Sequence, residues 1–329
     1  MGLIVTNTLD DIKAPVEAEL KSFTSFFKQS MRSSVTLVDT IARYIVKQKG
    51  KRIRPIVVFL TAKTCGTVNE STFRGATLVE ILHTATLVHD DVVDDSDTRR
   101  GLASINAVWK NKVAVLMGDY LLSTGLMISL RHNYVYFLKT VSDSVRRMSE
   151  GEILQRQKSR ELEMDEETYL KIISNKTASL LSTCSEIGAA STTEDPAQRK
   201  LMKEFGENVG MAFQIRDDIL DFTSRKSILG KPIGGDMKEK KITLPLIHAL
   251  KQSSKQDAKR VLKMIKNGAK GKDVEFVVEF VHQNGGIQYA EQRAHDFGDA
   301  ARACLKPFPD SDAKQSLEMF IDFVMEREK

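Results

Sequence analysis

Apolar residues recur at three- and four-residue spacing from about residue 8 to the C-terminus, for example at Leu78, Leu82, Ala85 and His89, and at Val209, Ala212, Phe213 and Ile219. That is the period of a helix with one buried stripe, not the two-residue alternation of a half-buried strand. The pattern predicts roughly a dozen helices and no strand. Gly50 with Pro55 beyond it, Asp195-Pro196, and Thr243-Leu244-Pro245 mark helix starts, because Thr can cap a helix and Pro is tolerated in its first turn. The longest irregular segment runs from Thr223 to Lys241 with Gly230, Gly234, Gly235 and six Lys or Arg. A loop of that length in a compact fold is functional or disordered. Lys251 to Lys272, interrupted by Ser and Gly, reads as a solvated surface hairpin.

Composition strengthens the helical reading. Only 7 prolines and 19 glycines interrupt 329 residues, and aromatic residues make up 7%, which disfavours a turn-punctuated β-sandwich. At 41% hydrophobic the chain can bury a sizeable core, so a disordered chain is excluded. No Pro-, Gly- or Ser-rich linker divides it, and residues 1–329 are expected to form a single all-α domain. Cys65, Cys184 and Cys304 are odd in number and far apart, the usage of reduced thiols, and the expected location is cytoplasmic. Apolar runs fall short of the roughly 18 residues of a membrane span. The charge balance, 49 Lys and Arg against 44 Asp and Glu, is compatible with nucleic acid, anionic membrane or phosphorylated substrates. A nucleic-acid face would interleave aromatic residues with its basic ones, and the lysine-rich stretch does not.

Asp90-Asp91-Val92-Val93-Asp94 and Asp217-Asp218-Ile219-Leu220-Asp221 are both DDxxD, a weak signal once and a strong one twice. On a helix, positions i and i+4 share a face, so Asp90 with Asp94, and Asp217 with Asp221, each form a two-carboxylate clamp. Such a clamp repels itself unless a cation sits in it. Hard oxygen ligands without Cys or paired His favour Mg²⁺ over zinc, and Mg²⁺ takes one or two carboxylates plus water and phosphate oxygens. Basic residues gather around the acids. Lys51 and Arg54 lie in Gly50-Lys51-Arg52-Ile53-Arg54-Pro55, at a helix start that already favours an anion; His83 precedes Asp90 by seven residues; Arg99-Arg100-Gly101 follows the first clamp. Lys176-Thr177 falls on a middle helix, and Lys231 and Lys241 bracket the glycine-rich segment after the second clamp.

These motifs, together with Phe213-Gln214 before the second clamp and Lys241-Ile242-Thr243 after it, make the chain resemble the trans-isoprenyl (polyprenyl) diphosphate synthases over nearly its whole length. The resemblance implies an isoprenoid-synthase bundle of helices around a deep central cavity, a homodimer, and both aspartate motifs at the cavity mouth. It implies head-to-tail condensation of an allylic diphosphate such as farnesyl diphosphate with isopentenyl diphosphate, through Mg²⁺-dependent ionisation, condensation and elimination, with roughly three Mg²⁺ per active site. By that resemblance Asp90, Asp94 and Asp217 ligate metal, with Asp91, Asp218 and Asp221 ligating or supporting. Arg99, Lys176, Lys231 and Lys241 hold the allylic diphosphate; Lys51, Arg54, His83 and Arg100 hold that of isopentenyl diphosphate; Thr177 and Gln214 offer neutral oxygens near the cation; released pyrophosphate takes the proton.

In such enzymes the residue five positions before the first motif sets product length, and here Ala85 and its neighbour Thr86 are both small. Each added isoprene unit gains several kcal/mol if the tunnel admits it, at about 0.8 kcal/mol per buried CH₂, so the expected product is all-trans and long, C30 or more and about C40. Such chains serve as quinone side-chain precursors, and their release implies transient membrane contact. A short-chain farnesyl or geranylgeranyl diphosphate synthase is the alternative product reading. The non-catalytic subunit of a heteromeric synthase is disfavoured by two intact motifs. A terpene cyclase would carry a different second metal motif, and an HD-type phosphohydrolase would need a further metal-ligand His well upstream of His89-Asp90.

Overall fold

The computed structural model describes residues 8–48, 50–223 and 235–326. Lys231 and most of the glycine-rich segment lie outside them. Sixteen α-helices and one two-stranded ribbon make up the described regular structure, apart from short 3₁₀ and π turns. The first half comprises α1 (Leu9–Lys13), α2 (Glu17–Ser30), α3 (Thr36–Lys47), α4 (Ile53–Cys65), α5 (Glu70–Val93), the ribbon β1 (Thr98–Arg99) and β2 (Leu102–Ala103), α6 (Ile105–Arg131), α7 (Val135–Glu161) and α8 (Glu166–Ile173). Then come α9 (Ser179–Ala190), α10 (Pro196–Thr223), α11 (Gly235–Lys238), α12 (Leu244–Gln252), α13 (Lys255–Lys266), α14 (Lys272–Gln283), α15 (Gly286–Leu305) and α16 (Asp312–Met325). The all-α expectation holds, with the ribbon as its one exception. Arg100 and Gly101 both have positive φ, the signature of a tight two-residue hairpin turn that hydrophobic periodicity cannot reveal.

Predicted boundaries fall where Pro and Asp were read. α10 starts at Pro196, with Asp195 Oδ1 accepting the Ala197 N–H at 2.8 Å. Thr243 stands before α12, yet its hydroxyl makes no capping bond. The stretch read as a solvated hairpin holds α13, whose Val261 and Ile265 are fully buried. Its lysines form only the outer face of an amphipathic helix.

α5 and α9 are buried around most of their circumference, so they occupy the centre. α5 packs on α4, α6 and α9, and α9 also packs on α4, α7 and α10. One buried cluster includes Phe23, Phe59, Leu78, Leu121, Ile187 and Phe205. A second, carried by α10 and α12 to α15, includes Ile215, Leu246, Val261, Val277 and Ala290. α6 revises the reading of apolar runs: it covers 27 residues with a break at Lys110, where φ is 72°, and contains an 18-residue window of mean hydropathy 1.6, by length and composition apolar enough to span a membrane. Its Gly118 and Gly125 face α5, where an added Cβ would meet His89 and Leu82.

Candidate active site

The last turn of α5 carries the first motif, and the Asp94 N–H donates to the Asp90 carbonyl at 2.8 Å, which preserves the i, i+4 relation. Asp90 and Asp94 are exposed. Partial desolvation, then Glu152 and Asp94, raise the Asp90 pKa against the opposing charges of Lys176 and Arg99. Asp91 lies on another side of the helix, only 2% exposed, and forms an ion pair with Arg99. The ribbon brings that arginine back, and Asn106 Nδ2 bonds the Asp91 carbonyl at 3.3 Å. Asp91 thus fixes a cation beside the clamp.

Between α8 and α9 the chain makes a π turn, Ser174–Ala178, which contains Lys176 and Thr177. Such turns re-aim side chains within a helical run and cluster at functional sites. Arg147 of α7 braces it, donating to Asn175 Oδ1 at 3.1 Å and to Ser174 Oγ at 2.8 Å while pairing with Glu207 at 2.7 Å. α7 and α10 come close enough to hold it only because Gly151 and Gly210 face it; a Cβ there would sit 3.0 Å from the Lys176 nitrogen or 2.4 Å from the Ala178 Cα.

Asp217 and Asp221 on α10 are half-buried, and Asp221 Oδ1 accepts the Gly235 N–H at 3.1 Å. Asp218 is buried and accepts from Tyr169 Oη at 2.7 Å and Gln214 Nε2 at 2.8 Å. Gln214 Oε1 in turn accepts from Thr177 Oγ1 at 2.8 Å. On the other side of the π turn, Lys176 pairs with Glu152 at 2.6 Å, and Arg156 pairs with both Glu152 at 3.0 Å and Asp94 at 2.9 Å. Two sets of polar contacts, one reaching Lys176 from the first motif and one reaching Thr177 from the second, therefore meet at adjacent residues of the π turn. Burial alone would raise the Glu152 carboxyl, but its bonds to Lys176 and Arg156 outweigh that and lower its pKa. Lys176, Thr177, Gln214, Asp218 and Lys241 line one pocket, and Lys241 pairs with Glu239 at 2.5 Å.

Of the remaining expected diphosphate contacts, Arg100 lines a second pocket and His83 lines an apolar one, while Lys51 and Arg54 are among the lining of neither. Asp91, Arg99, Arg52, Glu80 and Gly50 line the second pocket with Arg100, and a Cβ on Gly50 would lie 2.4 Å from the Arg100 guanidinium. Arg54 is deeply placed, its pKa lowered by desolvation against the charge of Glu80. Burial, then Arg54, Arg100 and Arg99, hold the His83 pKa well below 6.5, so the ring is neutral at physiological pH. Lys51 is exposed, with its ammonium 5.9 Å from the Phe323 ring centre. All three cysteines are free, and burial pushes the Cys184 thiol up to about 12.

An apolar pocket opens between α5, α7 and α9, lined by Val79, Leu82 and Thr86 on one side and Val141, Val145 and Leu180 on the other. Ala85 does not line it. By helical period that residue falls on the stripe of Leu78 and His89, which meet α6, and Leu82 borders both faces. Glu152, Arg156, Tyr169 and the π turn were not singled out from the sequence; the Glu-rich stretch before Lys176 is ordinary helix surface in composition, and only tertiary contacts make it part of the site.

A family model described as polyprenyl synthetase matches residues 35–281. The chain belongs to the polyprenyl synthetase family. It is 37% identical over 318 residues to an all-trans-nonaprenyl-diphosphate synthase (geranyl-diphosphate specific) of Rhodobacter capsulatus, covering 96% of this chain and 97% of that one. It is 32% identical to the octaprenyl diphosphate synthase of Escherichia coli, covering 98% and 99%. A solved polyprenyl synthase of Caulobacter crescentus, described as complexed with calcium and isoprenyl diphosphate, superposes with a TM-score of 0.88 at 32% identity, covering 98% of this chain and 99% of that chain. The polyprenyl synthetase fold and prenyltransferase class expected from the motifs are thus the protein's own.

Proposed function

We propose that this prenyltransferase condenses an allylic diphosphate, farnesyl diphosphate among the candidates, with isopentenyl diphosphate in successive head-to-tail steps to give a long all-trans polyprenyl diphosphate. The observation that carries the reading is the π turn that joins the two motifs, with Lys176 tied through Glu152 and Arg156 to Asp94 and the adjacent Thr177 tied through Gln214 to Asp218, set beside an apolar pocket. Among the described residues, no three His, Cys, Asp or Glu side chains group closely enough to form a metal cage by themselves. Mg²⁺ fits such a donor set when diphosphate oxygens complete its shell. Asp90, Asp94 and Asp217 would hold it. Bound there, it would neutralise charge on the departing diphosphate. Lys176 and Arg99 would supply positive charge to the same leaving group before its bond breaks, and Thr177 and Gln214 would offer neutral oxygens near the cation. Arg54, Arg100 and Lys51 would bind the second diphosphate, with neutral His83 available as a hydrogen-bond partner.

No Phe, Tyr or Trp is among the described residues lining the apolar pocket, and the similarity to a nonaprenyl and an octaprenyl diphosphate synthase supports a product of C30 or more, about C40 in our reading. The exposed apolar residues of α6 support a homodimer, and a product of that length supports transient membrane contact by a cytoplasmic enzyme. Incubation with Mg²⁺, isopentenyl diphosphate and farnesyl diphosphate, followed by dephosphorylation and mass analysis, should yield polyprenols of C30 or more, about C40. A product that stops at geranylgeranyl would move the protein to the short-chain reading.

A further inference from the structure

Arg156 belongs to none of the expected substrate contacts, yet it holds a carboxylate of the first motif. Its Nη2 lies 2.9 Å from Asp94 Oδ1, its Nε lies 3.0 Å from Glu152 Oε1, and its side chain is 48% exposed at the mouth of the site. Lys176 occupies the other oxygen of Glu152 at 2.6 Å. We infer that Arg156 is an internal counter-cation of the Asp90–Asp94 clamp, competing with a divalent ion for Asp94 and moving fully onto Glu152 when the ion binds. The inference rests on the reading of that clamp as a metal site.

With Arg156 on Asp94, the repulsion among Asp90, Asp94 and Glu152 is partly relieved by a charge the protein carries itself. A divalent ion on the clamp places two further positive charges beside the guanidinium, and the pair with Asp94 then becomes unfavourable. Glu152 is already bonded through Nε, so the arginine has a receiving carboxylate without crossing the site. Metal loading thereby includes the loss of an ion pair, which weakens binding of the bare ion and leaves a larger share of the affinity to metal that arrives with diphosphate.

Mn²⁺ is the probe, titrated into the intact protein and followed by electron paramagnetic resonance of the free ion, with no turnover involved. Arg156→Gln should tighten Mn²⁺ binding by about two- to fivefold, the size expected of an exposed ion pair. In an Asp94→Asn background the same change should have no effect, which separates direct competition from a general field. Arg146→Gln, on the same helix but paired to Asp143 and Glu150, is the control and should change nothing. Equal or weaker binding in Arg156→Gln, with Asp90→Ala still reducing binding, would overturn the role of Arg156 alone. Binding indifferent to Asp90→Ala would overturn the metal reading of the clamp and this inference with it. Melting curves of each variant confirm that the folded protein is being titrated.

Discussion

Asp90 stands at the last turn of α5 with Asp94 and Glu152 as neighbours, and partial desolvation together with their charges holds its carboxyl above the ordinary range. Removing it should cost function without costing fold. Asp90→Ala should lower turnover by about three orders of magnitude while the melting temperature stays level or rises, because like-charge repulsion is relieved, and Asp217→Ala should lower turnover by a similar factor. Product assays beside thermal melts check both halves, and full turnover in either variant would remove the aspartates from the chemistry. His83 permits a second residue-scale expectation. The unfolded chain takes up a proton on this ring as pH falls through 6.5, whereas the folded protein, with the ring buried among arginines, resists until lower pH. Its contribution to stability is therefore complete above 6.5 and declines below it. Denaturant melts at about pH 7.5 and 5.5 should show that decline in the wild type and less of it in His83→Asn. At this scale the aspartates and the basic residues near them stand out in the sequence, since charge in an apolar helix is conspicuous. Glu152 and Arg156 do not, because a Glu and an Arg four apart look like any solvated helix face.

Along α5 the helical period decides which neighbouring residue can touch a growing chain. Thr86 lies with Val79 and Leu82 on the wall of the apolar pocket, while Ala85 lies on the stripe facing α6. A one-residue offset turns a side chain by about 100°, so adjacent small residues are not equivalent. Thr86→Phe should shorten the product while leaving the first condensation largely intact, since the ring blocks burial of each later isoprene unit and the diphosphate contacts lie above it. Ala85→Phe should instead overpack the α5–α6 interface, at about 1 to 3 kcal/mol, and register as a lower melting temperature with product length nearly unchanged. Product masses and melts of the two variants together test the assignment; shortening by Ala85→Phe and not by Thr86→Phe would reverse it. Helix type was readable from periodicity, but which neighbour each face meets was not. The π turn was equally hidden, because Ser174 to Ala178 reads as ordinary helix until Gly151 and Gly210 let two other helices close on it.

For the whole molecule, the order of motifs carried the family, while assembly depends on surfaces whose partners the sequence does not name. α6 illustrates the point. Val115, Leu116, Met127 and Leu130 are exposed, Leu116 by 68%, and fall on one side of the helix, opposite the glycines that seat it against α5. Only 33% of its most apolar 18-residue window is buried within one chain. Asp119 is also exposed on this side, and a charge at membrane depth is costly. A second copy of the same face would cover these residues and tolerate a rim of charge, as homodimer interfaces do. The wild type should therefore sediment as a dimer at micromolar concentration. Leu116→Glu combined with Leu130→Glu places like charges on both sides of a two-fold contact, so the double variant should shift toward monomer with its helical content preserved. Analytical ultracentrifugation across a dilution series, beside circular dichroism, measures both. A wild type that is monomeric throughout, or a double variant that dimerises as tightly as the wild type, would show that this face of α6 is not where two chains meet.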